Sequence, residues 1–187
     1  MKIKKLIVSA FGPYAKEQEL DFEKYLDNKN MFVITGNTGA GKTTIFDAIN
    51  FVLYGEASGS ERDGKSLRSD FADPTIKTEV KLWFSLRGKD YYIKRSPQYF
   101  RPKQKGEGLT ESKAEAELIF DDKTITGTKE VTRQVEEILG ITSEQFKQLV
   151  MIPQGEFKNF LILIVIRRKK SLEKYLERRY FQIFSKI

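Results

Sequence analysis

Apolar and polar residues alternate from Ile76 to Leu86, with Ile76, Thr78, Val80, Leu82, Phe84 and Leu86 on one side and polar residues plus Trp83 on the other. That period of two predicts a strand with one buried face. Arg87-Gly88-Lys89-Asp90 turns it into a second strand at Tyr91 to Arg95, and Ala114, Ala116, Leu118 and Phe120 alternate again before Asp121-Asp122 turns into Lys123 to Thr126. Together these segments predict an antiparallel meander from Lys77 to Thr126. Lys2 to Ala10 and Glu19 to Phe22 read as two further strands, joined by Phe11-Gly12-Pro13-Tyr14. Met31 to Thr35 is short, apolar and β-prone, as a strand buried on both faces should be.

The period changes at Ile45, Ala48, Ile49, Val52 and Leu53, which fall on one side of a helix that Gly55 would stop. Val131, Val135, Ile138 and Leu139 mark a second helix ending at Gly140, and Thr142 with Gln145 forms a capping box for a third. From Glu56 to Pro74 the chain is rich in Ser, Gly and charge and reads as a long loop beside a functional surface. The expected fold class is therefore α/β, with a mixed sheet beside an antiparallel meander.

Between the Met31–Thr35 run and the first helix lies Gly36-Asn37-Thr38-Gly39-Ala40-Gly41-Lys42-Thr43-Thr44. This is a P-loop in its proper strand-to-helix setting. Its glycines let successive N–H groups turn inward, and the helix that follows adds its positive dipole end. Lys42 would reach the β- and γ-phosphates of a nucleotide, and the Thr43 hydroxyl would sit on Mg²⁺.

Composition narrows the chemistry. The 187 residues include no Cys and no His, which excludes disulfides, Cys/His zinc sites, thiol nucleophiles and His-based triads. The charged start Met1-Lys2-Ile3-Lys4-Lys5 and the short apolar run after it do not form a secretory signal, so a cytoplasmic location is expected. The formal net charge of +7 sits almost wholly in residues 161–187, where eight Lys and Arg face Glu173 and Glu177. The basic balance therefore says little about the domain itself.

Five segments in order, Phe11-Gly12-Pro13-Tyr14, Gly36 to Thr44, Leu67-Arg68-Ser69-Asp70-Phe71, Arg101-Pro102-Lys103 to Gly106-Glu107-Gly108-Leu109-Thr110, and Pro153-Gln154-Gly155-Glu156-Phe157, carry a further reading. Over residues 1–160 the chain resembles the amino-terminal head lobe of the SbcC family, ATPase subunits of bacterial SbcCD exonucleases within the SMC-like branch of the ABC ATPases. The resemblance implies that this lobe I of the head is one half of an ATPase completed by a carboxy-terminal lobe across a coiled coil. It implies ATP and Mg²⁺ as cofactors, Asn37 to Thr44 on the triphosphate, Thr43 and Gln154 on the metal, and Gln154 also placing the attacking water. Arg68 and Ser69 would lie near the nucleoside. The acidic strand end and the signature loop of the family belong to the other half. The resemblance therefore implies that this half binds ATP with little hydrolysis alone. Asp121-Asp122 follows the apolar run Leu118-Ile119-Phe120 as a Walker B carboxylate would, but its spacing reads as a hairpin turn.

Residues 87–105 hold Arg87, Lys89, Arg95, Arg101, Lys103 and Lys105 among Tyr91, Tyr92, Tyr99 and Phe100. The residues alone favour a solvated hairpin with its aromatics packed inward, whereas the resemblance implies sequence-independent contact with double-stranded DNA, alongside an SbcD-like nuclease partner. Residues 161–187 depart from the family pattern. Their opening Leu161-Ile162-Leu163-Ile164-Val165-Ile166 is far shorter than the roughly 20 apolar residues of a membrane span. The residue mix of this tail suits an A/T-rich coding sequence read out of frame, and an amphipathic anchor or partner helix is the alternative. A stand-alone P-loop kinase or GTPase, or an inert binding module, are the competing functional readings.

Overall fold

The period-2 segments pair, each with its neighbour, into one antiparallel sheet. In the computed structural model, which describes residues 1–26, 33–56, 67–103 and 107–150, strands β1 (Lys2–Ser9), β2 (Gln18–Asp21), β3 (Glu79–Leu86), β4 (Lys89–Ser96), β7 (Glu115–Phe120) and β8 (Lys123–Thr126) form a six-stranded sheet in the order β2-β1-β3-β4-β7-β8. Strands β5 (Tyr99–Pro102) and β6 (Leu109–Ser112) form a separate two-stranded ribbon between β4 and β7. The helices are α1 (Phe22–Leu26), α2 (Lys42–Tyr54), α3 (Thr128–Leu139) and α4 (Ser143–Val150). Residues 1–146 make one compact unit; of a second, Lys147–Ile187, only the end of α4 is described.

Two tight hairpins set the register. At Arg87-Gly88 and at Asp121-Asp122 both central residues have positive φ (52° and 79°, then 45° and 59°), the backbone twist that matches adjoining antiparallel strands. The register then puts Leu6 and Val8, Val80, Leu82 and Phe84, Tyr91 and Ile93, and Ala116 and Leu118 on one face. Against that face pack Ala48, Phe51, Val52 and Leu53 of α2 and Val131 and Val135 of α3, all buried. The opposite face is polar: Lys5 pairs with Glu19, Lys81 with Glu79 and Lys94 with Glu117, while the Trp83 and Tyr92 rings pack at a tilt of 41° with centroids 4.8 Å apart.

Helix α2 ends as expected, at a left-handed Gly55 whose N–H returns to the Phe51 carbonyl. The Thr142/Gln145 capping box forms in both directions, at 3.0 and 3.4 Å. The strand expected at Met31–Thr35 does not form among its described residues: 33–35 carry no ladder bonds, and Val33 is 79% exposed. Every strand pairing among the described residues is antiparallel, and none of them includes residues 33–35. Residues 27–32, the boundary expected at residue 160, and the tail lie outside the described residues.

Arg95 overturns part of the basic-patch reading. It stands on the core face of β4 opposite Val80 and Ala116 and is 3% exposed, so it is not a surface contact. Its Nε donates to the Val52 carbonyl at 3.1 Å and its Nη2 to the Leu53 carbonyl at 3.2 Å, both near the C-terminus of α2. It also donates to the Thr128 carbonyl and the Thr132 hydroxyl in the first turns of α3. Burial pushes its pKa down to about 10. Replacing Arg95 with Met should keep the volume and strand the helix-end carbonyls, with a loss of about 3 kcal/mol in urea unfolding; a loss below about 1 kcal/mol would show that Arg95 holds nothing in place.

Candidate nucleotide site

The P-loop is built on the N-terminus of α2. Gly41 is the residue before the helix, in the left-handed region with φ 86° and ψ 11°, and no side chain caps the helix. The first turn of α2 carries no acidic residue. Its leading N–H groups and positive dipole end therefore stand open to an anion. The loop curls back on itself: the Ala40 N–H donates to the Asn37 carbonyl at 3.2 Å, and the Lys42 ammonium donates to the carbonyls of Gly36 and Asn37, both at 2.7 Å. Lys42 thus holds its charge inside the curl. Asn37, Thr38, Gly39, Ala40 and Thr43 are exposed, whereas Thr44 turns into the core.

The turn after β1 forms the wall behind this loop. Phe11 and Tyr14 exchange two backbone hydrogen bonds at 3.0 Å, the Gly12 N–H donates to the Leu67 carbonyl, and the Ser69 N–H donates to the Ala10 carbonyl. The Tyr14 hydroxyl donates to the Gly41 carbonyl at 3.0 Å. Packing here leaves no room for a side chain: a Cβ on Gly12 (φ 55°) would lie 2.7 Å from Thr44 Cγ2, and one on Gly41 would lie 2.8 Å from Pro13 Cγ. The sequence reading missed Tyr14 as a site residue, because nothing in the spacing of a Gly-Pro-Tyr turn ties it to a loop 27 residues on.

Arg68 and Ser69 reach this wall through the bridge between Phe11 and Arg68. The Arg68 guanidinium donates to the carbonyls of Asp73 and Ile76 and to the Thr78 hydroxyl, at 2.6 to 2.9 Å, and stacks 4.8 Å over the Tyr99 ring. Ser69 is buried. Both residues hold the segment after the loop in place rather than presenting free groups. Gln154 lies outside the described residues. Asp121 and Asp122 form the β7–β8 turn, where Asp121 accepts a hydrogen bond from Lys89, so this pair is a hairpin and not a metal-holding strand end. Among the described residues, no cluster of three Asp or Glu could hold a metal by itself, and no helix is long and apolar enough to cross a membrane.

Of the basic and aromatic stretch, Tyr91 is buried between Phe84 and Phe120, Tyr92 lies on Trp83, and Tyr99 is buried under Arg68. What stays on the surface falls in two places: Arg87 and Lys89 at the β3–β4 turn, and Phe100 and Lys103 with the half-buried Arg101 on the ribbon. Lys105 lies outside the described residues.

An open helix start, an inward lysine and an adjacent hydroxyl are the geometry of a P-loop. The AAA domain family matches residues 5–183, a range that runs past residue 160 into the tail. The SbcC component of the nuclease SbcCD from Vibrio cholerae serotype O1 is 43% identical over 166 residues, covering 86% of this chain and 16% of that protein. The same component from Staphylococcus aureus (strain MRSA252) is 36% identical across the whole chain and 18% of its own length. The SMC head domain from Thermotoga maritima aligns over 72% of this chain and 42% of that one, with 20% identity and a TM-score of 0.37. The chain belongs to the AAA domain family, and its similarity to the two SbcCD components runs over most or all of its length. It spans less than a fifth of the curated relatives it matches.

Gly12→Ala should place a methyl group against Thr44 at a left-handed backbone position. We expect a loss of about 1 to 2 kcal/mol in chemical denaturation. An unchanged midpoint would mean that the turn and the helix are not in contact.

Proposed function

We propose that the chain binds Mg-ATP as the amino-terminal half of an SbcC-like ATPase head. The observation that carries this reading is the uncapped start of α2 with the Lys42 ammonium held inside the glycine curl. Gly36 to Thr44 cradle the triphosphate: backbone N–H groups face the phosphate oxygens, and Lys42 exchanges its two carbonyl partners for the β- and γ-phosphates. Mg²⁺, held by the Thr43 hydroxyl and the Gln154 amide oxygen, would neutralise phosphate charge. Gln154 orients the attacking water, and Arg68 and Ser69 shape the wall on the nucleoside side.

In the parent protein a carboxy-terminal head lobe supplies the acidic and signature elements and dimerises across ATP. An SbcD-like nuclease partner then acts on double-stranded DNA, in the cytoplasm, during double-strand break and hairpin processing. Phe100, Arg101 and Lys103 on the ribbon contribute sequence-independent contacts to the phosphate backbone. A P-loop kinase or GTPase reading has no comparable support, because the relatives of this chain are SbcC proteins.

The test is calorimetry with Mg-ATP. Lys42→Ala removes the one full positive charge fixed by the loop and should weaken binding by roughly a hundredfold. Equal affinity in the two proteins would place the nucleotide elsewhere.

A further inference from the structure

We propose that Tyr14 is a positioning residue for the phosphate site, aiming the Lys42 N–H through the Gly41 carbonyl; the inference rests on the nucleotide reading above. The connection is geometric. The carbonyl of Gly41 and the N–H of Lys42 belong to one planar peptide unit, and no peptide in the described chain is cis, so the two groups point in opposite directions. Fixing one aims the other.

The Tyr14 hydroxyl sits 3.0 Å from that carbonyl. A carbonyl oxygen has two lone pairs, so it can take this bond and still serve the first turn of the helix. With its oxygen held from the Tyr14 side, the peptide directs the Lys42 N–H away from the core and into the curl that an anion would occupy. A rotation of this plane, which glycine at Gly41 would otherwise permit at little cost, breaks the Tyr14 bond.

The clasp is tight on both sides. A Cβ at Gly41 would lie 2.9 Å from the Tyr14 hydroxyl and 2.8 Å from Pro13 Cγ, so the turn touches the loop backbone itself. The turn in turn is anchored by its own paired bonds and by Leu67. Tyr14 is half-buried and packs against the core, so its ring is set by the fold and its hydroxyl is free to act on the loop. Its phenol stays protonated near neutral pH, burial raising its pKa further, and it remains a donor.

Tyr14→Phe separates the hydroxyl from the ring. Calorimetry with Mg-ATP and Mg-ADP on the 187-residue chain should give dissociation constants about three- to tenfold weaker for both, because both ligands place a phosphate at the Lys42 N–H. The melting temperature without nucleotide should stay within about 2 °C of the parent, since ring packing is kept. Parent-like affinity in Tyr14→Phe, with binding lost in Lys42→Ala, overturns the role of Tyr14 and leaves the nucleotide reading standing. Weakening that comes only with a larger fall in melting temperature also overturns it, since the hydroxyl would then be a general stabiliser. No binding by the parent chain overturns the nucleotide reading, and this inference with it.

Discussion

A buried guanidinium whose hydrogen bonds among the described residues go to carbonyls and a hydroxyl holds the P-loop helix to the sheet. Arg95 occupies a position on β4 where alternation would place another apolar side chain after Tyr91 and Ile93. Burial works against its charge, and the opposing contributions are the carbonyls of Val52, Leu53 and Thr128, the Thr132 hydroxyl, and the negative end of the α2 dipole. Gly55 reports how close this packing is, since a Cβ there would lie 2.8 Å from Arg95 Nη1. The same junction is tied again by the Tyr54 hydroxyl on the Ile141 carbonyl and by the Tyr54 and Phe146 rings at 5.5 Å.

Because α2 is short and rigid, fixing its far end fixes the direction of its near end, where the open N–H groups meet the loop. Arg95 therefore sets the axis of the helix, while the turn at Gly12 to Tyr14 sets the last peptide before it. The side chains that impose these constraints, Arg95 and Tyr14, are not among those proposed to touch the nucleotide. The loop itself can then remain a run of small residues with few contacts of their own, as a phosphate cradle must be.

The hairpins and helices were legible in the sequence because local rules and tertiary packing agree there: Arg87-Gly88 and Asp121-Asp122 are turns, Gly55 and Gly140 end helices, and Thr142 pairs with Gln145. The P-loop was legible from its fixed residues. The failures have physical causes. Met31–Thr35 has the composition of a central strand, but strand formation depends on neighbours that composition does not reveal. The β5–β6 ribbon was missed because Tyr99-Phe100-Arg101-Pro102 is too short to show a period. Arg95 was grouped with the basic residues of 87–105 because of its charge, although alternation puts it on the same face as Tyr91 and Ile93, and only the packing shows that its acceptors are helix-end carbonyls. Tyr14 could not be found by spacing at all, since its link to Gly41 crosses 27 residues.

The central claim is that this chain cradles ATP but completes its chemistry only with a second lobe. Steady-state ATP turnover tests it most directly, measured on the 187-residue chain alone and mixed with a separately expressed carboxy-terminal head segment of an SbcC relative. The account predicts background turnover for the chain alone and Lys42-dependent turnover in the mixture. Turnover by the chain alone at roughly 1 per second or faster, abolished by Lys42→Ala, would contradict it.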